Sequence, residues 1–120
     1  MGKILVVDDQ FGVRRLLFET FQEDHHEVEM AANGAEALQV LIAFQPDLIL
    51  MDMKMPGMNG IETLVQIRAL GCKANVIMMT AYGDVQNMKQ AKDLGILSFM
   101  GKPFDLFELR ERVREILTVS

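Results

Sequence analysis

The feature that most constrains this chain is a regular alternation. Short runs of Val, Ile, Leu and Met recur, each followed by a longer segment with helical spacing. The strand-like runs are Lys3–Val7, Glu27–Ala31, Asp47–Met51, Asn75–Met79 and Leu97–Met100. Three of them are nearly all apolar, the pattern of parallel strands covered on both faces. The segments between them carry apolar stripes. Val13, Leu16, Leu17 and Phe21 mark the first, Leu38, Leu41 and Ile42 the second, and Ile61, Leu64 and Val65 the third. Val85, Met88 and Ala91 make a weaker fourth, and Leu106, Leu109, Val113, Ile116 and Leu117 the clearest of all. End signals agree with this division. Asn59 with Glu62 and Asp105 with Glu108 have capping-box spacing. Gly71 and Gly95 stand where helices should stop, and Asn33-Gly34 marks a turn.

Five strand–helix pairs therefore fill the 120 residues. Alternating βα units predict an α/β fold, a three-layer (βα)5 sandwich with helices on both faces of a parallel five-stranded sheet. Right-handed crossovers leave few topologies. The flavodoxin-like strand order 2-1-3-4-5 is one common solution, with its crevice at the carboxyl ends of strands 1 and 3. Residues 1–120 read as a single domain, with no linker, repeat or low-complexity tract.

Composition narrows the functional classes. Half the residues are hydrophobic and 24% are charged, as in ordinary globular domains. The net charge of −5 argues against sequence-independent attraction to nucleic acid. No apolar run approaches the ~18 residues of a membrane span, and no signal peptide is apparent at Met1-Gly2-Lys3-Ile4. A cytoplasmic protein with neither nucleic acid nor membrane as partner is the expectation. The lone Cys72 excludes an internal disulfide framework and a Cys-based zinc site, and reads as structural.

The crevice rule says where to look for chemistry. Strand 1 ends in Asp8-Asp9, strand 3 in Asp52 and strand 4 in Thr80, and strand 5 leads into Lys102-Pro103. The predicted topology gathers these residues at one rim. Clustered carboxylates repel, so either their pKa values rise or a cation holds them. A hard cation such as Mg2+ suits oxygen ligands. Cation, hydroxyl and ammonium together would clamp a transferring phosphoryl group. Asp52, alone at the end of the central strand, is the best candidate for a carboxylate nucleophile. Any one such Asp is more often a cap or turn residue. The signal lies in the joint placement on successive strands. Two other features have blander readings. His25-His26 reads as a solvated turn rather than a metal site. Met51, Met53, Met55, Met58, Met78 and Met79 read as adaptable core filler ahead of a soft partner surface.

On these segments the chain resembles the receiver domain of bacterial two-component response regulators, over essentially its whole length. The segments are Ile4-Leu-Val-Val-Asp-Asp9, Pro46-Asp-Leu-Ile-Leu-Met-Asp52, Met55-Pro-Gly-Met-Asn-Gly60, Met79-Thr80-Ala81-Tyr82 and Lys102-Pro103-Phe104. Val7-Asp-Asp-Gln-Phe-Gly-Val-Arg14 and Ala31-Ala-Asn-Gly34 make it most similar to the single-domain regulators of the sporulation phosphorelay.

The resemblance implies roles. Asp52 would accept phosphoryl from a sensor histidine kinase and pass it to a histidine of a phosphotransfer protein. Mg2+, with Mn2+ as a substitute, would be held by Asp8, Asp9, Asp52 and the Lys54 carbonyl, Asp8 acting largely through water. Thr80 and Lys102 would contact the phosphoryl group, and Thr80 and Tyr82 would form the switch. The Lys102–Pro103 peptide is often cis in the family. Partners would dock on the first helix, through Gln10, Phe11, Gly12, Val13 and Leu16. The rim would add Pro56, Tyr82, Gly83, Pro103 and Phe104. An aspartyl-phosphate phosphatase would be a further partner, and the chain is expected to be a monomer. It would catalyse its own phosphorylation without being a conventional metabolic enzyme.

Three other functions compete. A phosphohydrolase of the aspartate-nucleophile kind generally has a second Asp two residues on, where this chain has Lys54. A flavodoxin-like electron carrier needs a phosphate-binding loop where Asp8-Asp9 would repel one. A receiver that signals by binding a target, as a chemotaxis regulator does, is the main alternative. With 120 residues filled by the receiver, no attached output module is expected.

Overall fold

The computed structural model describes residues 2–80 and 88–118. Five strands form one parallel sheet in the order β2-β1-β3-β4-β5: β1 Lys3–Val7, β2 Glu27–Ala31, β3 Leu48–Asp52, β4 Asn75–Thr80 and β5 Ser98–Gly101. The helices are α1 Phe11–Glu23, α2 Gly34–Phe44, α3 Gly60–Ala69, α4 Met88–Asp93 and α5 Leu106–Thr118. This is the expected flavodoxin-like architecture.

Strand periodicity divides the core into two layers. Leu5, Val7, Ile49, Met51, Val76 and Met78 face one side and pack with Ala37, Leu41, Ile61, Leu64, Ile67 and Ala91. Ile4, Val6, Leu48, Leu50, Ile77 and Met79 face the other, against Leu17, Phe21, Leu109 and Val113. Neighbours in a strand point to opposite faces, so β1, β3 and β4 must be apolar at nearly every position. Five methionines flanking the rim (Met51, Met53, Met55, Met78 and Met79) are buried, which supports the core-filler reading.

Some boundaries and stripes differ from expectation. β3 begins at Leu48 and runs through Asp52, so the acid is the strand's last residue. Asp47 stands outside it, accepting from the Lys3 backbone N–H at 2.9 Å. β4 includes Thr80, and β5 starts at Ser98 rather than the half-exposed Leu97. Leu16, Ile42 and Val65, placed in apolar stripes by spacing, are exposed, Ile42 at 69%. The sheet covers a narrower arc of each helix than the hydrophobic spacing spans. Val85 lies outside the described residues, and the described α4 is only Met88–Asp93.

Local chemistry sets the helix ends. Asn59 and Glu62 form a reciprocal capping box. Asp105 accepts from the Glu108 N–H at 3.1 Å. Asn33 does more than turn the chain, because its side chain caps α2 by accepting from the Glu36 N–H at 2.9 Å. Gly71 and Gly95 have φ of +86° and +81°, the left-handed geometry of a helix stop. His25 adopts φ +70° in the turn after α1. His26 is half-buried there, its Nδ1 accepting from the Gly2 N–H. Among the described residues neither histidine belongs to a metal-type cluster. Cys72 is partly buried against the core, as a structural residue should be.

Candidate functional site

The register of the parallel sheet carries the strand ends to one rim. Asp52 pairs with Met79, and Thr80 with Gly101. Backbone bonds continue past the strands: Met53 N–H donates to Met79 O and Lys102 N–H to Thr80 O, both at 2.8 Å. The Lys102–Pro103 peptide is cis, as the resemblance implied.

Gly60 closes the rim from behind, and the sequence reading did not single it out. Its N–H donates to Met53 O at 2.8 Å. A Cβ there would lie 2.6 Å from the Asp52 carbonyl oxygen and 3.0 Å from Met53 Cα. The contact is with backbone, so α3 can start this close to β3 only with glycine at that place. Glycine just after the capping Asn59 was the available signal.

Asp8, Asp9 and Asp52 converge. One carboxylate oxygen from each lies within 4.8 Å of the others. Asp8 is fully buried and Asp52 is 6% exposed, while Asp9 is open to solvent. Burying carboxylates is costly unless they are paired and hydrogen-bonded. Lys102 Nζ provides the pairing, at 2.8 Å from Asp8 Oδ2 and 3.4 Å from Asp52 Oδ2. The other oxygen of Asp8 accepts from the Gln10 N–H at 2.8 Å, at the start of α1.

The compensation is incomplete. Burial, then the charge of Asp8, pushes the Asp52 carboxyl up to about 6, against the opposing pull of Lys102. Burial disfavours the charged ammonium of Lys102, but Asp8 and then Asp52 outweigh that, so its pKa stands above the ordinary value. Among the described residues Lys102 is paired with two of these acids, and burial still leaves Asp52 harder to ionise than an ordinary carboxylate. The rim's donors are carboxylate oxygens all within 4.8 Å of one another, the type a hard divalent cation takes. An acidic pocket consistent with divalent metal binding is therefore present.

The other expected positions fall around it. Thr80 is half-buried at the end of β4, and Lys54 is exposed just beyond β3. Phe11 and Leu16 are 68% and 44% exposed, and Gln10, Gly12, Pro56 and Pro103 are also open. Val13 and Phe104 are only half open, since both pack against the core layer beneath α1 and α5. Tyr82 and Gly83 lie outside the described residues.

The comparisons with known proteins agree with this sheet order and rim. The chain belongs to the response regulator receiver domain family, whose model matches residues 4–114. It is similar to Sporulation initiation phosphotransferase F of Bacillus subtilis (strain 168), at 45% identity over 118 residues, covering 98% of this chain and 95% of that protein. It is 34% identical to Chemotaxis protein CheY of Halobacterium salinarum, over 97% of each chain. Among solved structures, response regulator protein TrrA from Thermotoga maritima in complex with Mg2+-BeF matches with a TM-score of 0.82 at 35% identity, covering 97% of this chain and 99% of that one. Chemotaxis protein CheY4 from Vibrio cholerae matches at 0.89 with 30% identity, over 97% and 98% of the two chains. No helix of the described residues is long and apolar enough to cross a membrane.

Proposed function

We propose that residues 1–120 act as a single-domain phosphorelay receiver in which Asp52 is the phosphoryl acceptor. The observation that carries the reading is the pairing of a buried Asp52 with two more carboxylates and one ammonium at the sheet's carboxyl rim. An Asp52 carboxylate oxygen forms the new P–O bond as the P–N bond of a phosphohistidine donor breaks, and the imidazole nitrogen keeps the electron pair. Lys102 already touches Asp52. Once the carboxylate is esterified, its ammonium is in place to pair with a phosphoryl oxygen while keeping its contact with Asp8. The Thr80 hydroxyl, at the end of the adjacent strand, donates to another oxygen. Asp8, Asp9 and Asp52, with the Lys54 carbonyl, would hold Mg2+, or Mn2+ in its place. That ion would supply neutralisation of the charge on the transferring group. A switch role for Thr80 and Tyr82 rests on the family resemblance.

The 45% identical relative is named a sporulation initiation phosphotransferase. It supports onward transfer from Asp52 to a histidine of a phosphotransfer protein in sporulation initiation. It also supports a sensor histidine kinase upstream; an aspartyl-phosphate phosphatase as a further partner and a cytoplasmic monomer rest on the family resemblance alone. The exposed Phe11 and Leu16, with Pro56 and Pro103, would form the docking face. The second reading is signalling by phosphorylation-dependent binding to a target. The near full-length match to a chemotaxis protein favours it.

Incubation with Mg2+ and a small acyl phosphate should label the protein with a hydroxylamine-labile phosphate. Label that persists in Asp52→Ala would sink the assignment, and label that forms without metal would sink the roles of Asp8 and Asp9. Profiling transfer to candidate phosphotransfer proteins separates the two readings, since a binding-only regulator passes no label on.

A further inference from the structure

α1 begins against the usual rules. Its first turn holds no acidic residue, and its N-cap Gln10 makes no side-chain cap bond, although helix N-termini favour such groups. Asp8, from the preceding strand end, supplies the carboxylate instead. Four residues past the cap stands a cation, Arg14. Its side chain reaches back, and Nη1 donates to the main-chain carbonyl of Asp8 at 2.7 Å. The same guanidinium lies over the Phe11 ring, 5.5 Å from its centroid. One side chain is thus held between an exposed aromatic and the backbone of a fully buried acid.

The carbonyl that Arg14 holds belongs to the Asp8–Asp9 peptide. That unit is planar, so fixing its oxygen also fixes the nitrogen and Cα of Asp9. The preceding peptide is tied by Asp8 N–H to Ala31 O at 3.1 Å, and the Asp8 carboxylate is tied to Gln10 and Lys102. Arg14 therefore holds the peptide from which the exposed Asp9 side chain departs.

We propose that Arg14 is a positioning residue for the acidic pocket, and that it couples the Phe11 face of α1 to that pocket. The inference rests on the proposed divalent-cation role of Asp8, Asp9 and Asp52. A guanidinium–carbonyl bond is charge-assisted and directional. A cation–π contact strengthens when it is desolvated. A protein that covers Phe11 tightens the pose of Arg14 and raises cation affinity. By linkage, a bound cation raises the affinity of that protein by the same factor.

The test titrates the full chain with Mg2+ alone and follows the backbone amide of Gln10, which donates to Asp8. Arg14→Met keeps the aliphatic stem and loses the donors. It should shift the Gln10 amide in metal-free protein and weaken Mg2+ binding about tenfold or more, as loss of a ligand-orienting partner does. Arg14→Lys should recover part of the affinity, because an ammonium can still donate to one carbonyl. Phe11→Ala should weaken binding about twofold to threefold. A purely structural role would lower thermal stability and leave these values unmoved. Wild-type Mg2+ affinity in folded Arg14→Met overturns the inference. If that variant fails to fold, the surface variant Phe11→Ala decides, and unchanged affinity there overturns the coupling. Asp9→Asn separates the two levels. If it abolishes the Mg2+ response while Arg14→Met does not, only this inference falls. If it leaves the response intact, the cation reading falls as well.

Discussion

At the end of the sheet where the strands begin, two arginines meet acceptors already in place. Arg68 gives its guanidinium to the main-chain carbonyls of Leu94, Cys72, Ala74 and Gly95, at 2.9 to 3.3 Å. Arg110 grips both oxygens of Asp24, at 2.6 and 3.0 Å. At the end where the strands stop, Asp8 and Asp52 share the Lys102 ammonium, and Asp9 lies beside them. Both ends have the same scaffold of parallel strands and loops. One has donors placed for acceptors that are already there. The other buries two carboxylates beside a third, and burial, then the charge of Asp8, pushes Asp52 up to about 6. Functional sites commonly trade stability for such poise.

Substitutions can break this contrast in order of effect. Lys102→Met removes the pairing cation from the buried acids and should cost about 3 kcal/mol in metal-free protein near neutral pH. Denaturant unfolding measures it. Added Mg2+ should restore part of the loss, and the loss should shrink as pH falls toward about 6, because without the lowering pull of Lys102 the Asp52 carboxyl takes up its proton above that value.

Asp52→Asn should do the opposite and stabilise the metal-free protein by about 2 kcal/mol at neutral pH. The sign follows from linkage. The folded pKa of Asp52 is raised above its ordinary value, so its contribution is full below about 4 and lost as pH rises through about 6. The gain from Asn should therefore appear above that window and vanish below it. A flat difference between wild type and variant across the range would contradict the charge imbalance.

At the opposite end, Arg68→Met should cost about 1–2 kcal/mol, because the freed carbonyls are only partly buried and water can reach them. That loss should be insensitive to Mg2+, which distinguishes it from the rim variants. Asp24→Asn should have the smallest effect, a slight fall in thermal midpoint that high salt erases, since the Arg110 pair is largely solvated. Arg110 holds the Asp24 carboxyl below its ordinary value. The small contribution is thus present at neutral pH and lost as pH falls below the carboxylate range.

Much of this molecule was legible before its structure. β1 and β2 fall at the expected residues because apolar alternation and flanking turns are local signals. The Asn59–Glu62 box and the two stopping glycines are equally local. Leu16 and Ile42 were misread because helical spacing shows which residues share a stripe, not how wide an arc the sheet covers. At the rim, Asp8, Asp9, Asp52, Thr80 and Lys102 were found because strand ends can be counted from the sequence. The closeness of Lys102 to Asp8, the tight seat of Gly60 and the reach of Arg14 were not, because they depend on distances between elements.

By itself, then, the sequence determined the five βα units, the Asn59 and Asp105 caps, and the residues that end the strands at the rim. Hydrophobic period and turn chemistry act over a few residues and need no partner. Only the tertiary structure decided that Lys102 meets an aspartate 94 residues earlier in the chain. The parallel register also buried Asp8 and Asp52 beside one another. The pKa of Asp52 follows from that packing, since desolvation and neighbouring charge exist only once the sheet has formed.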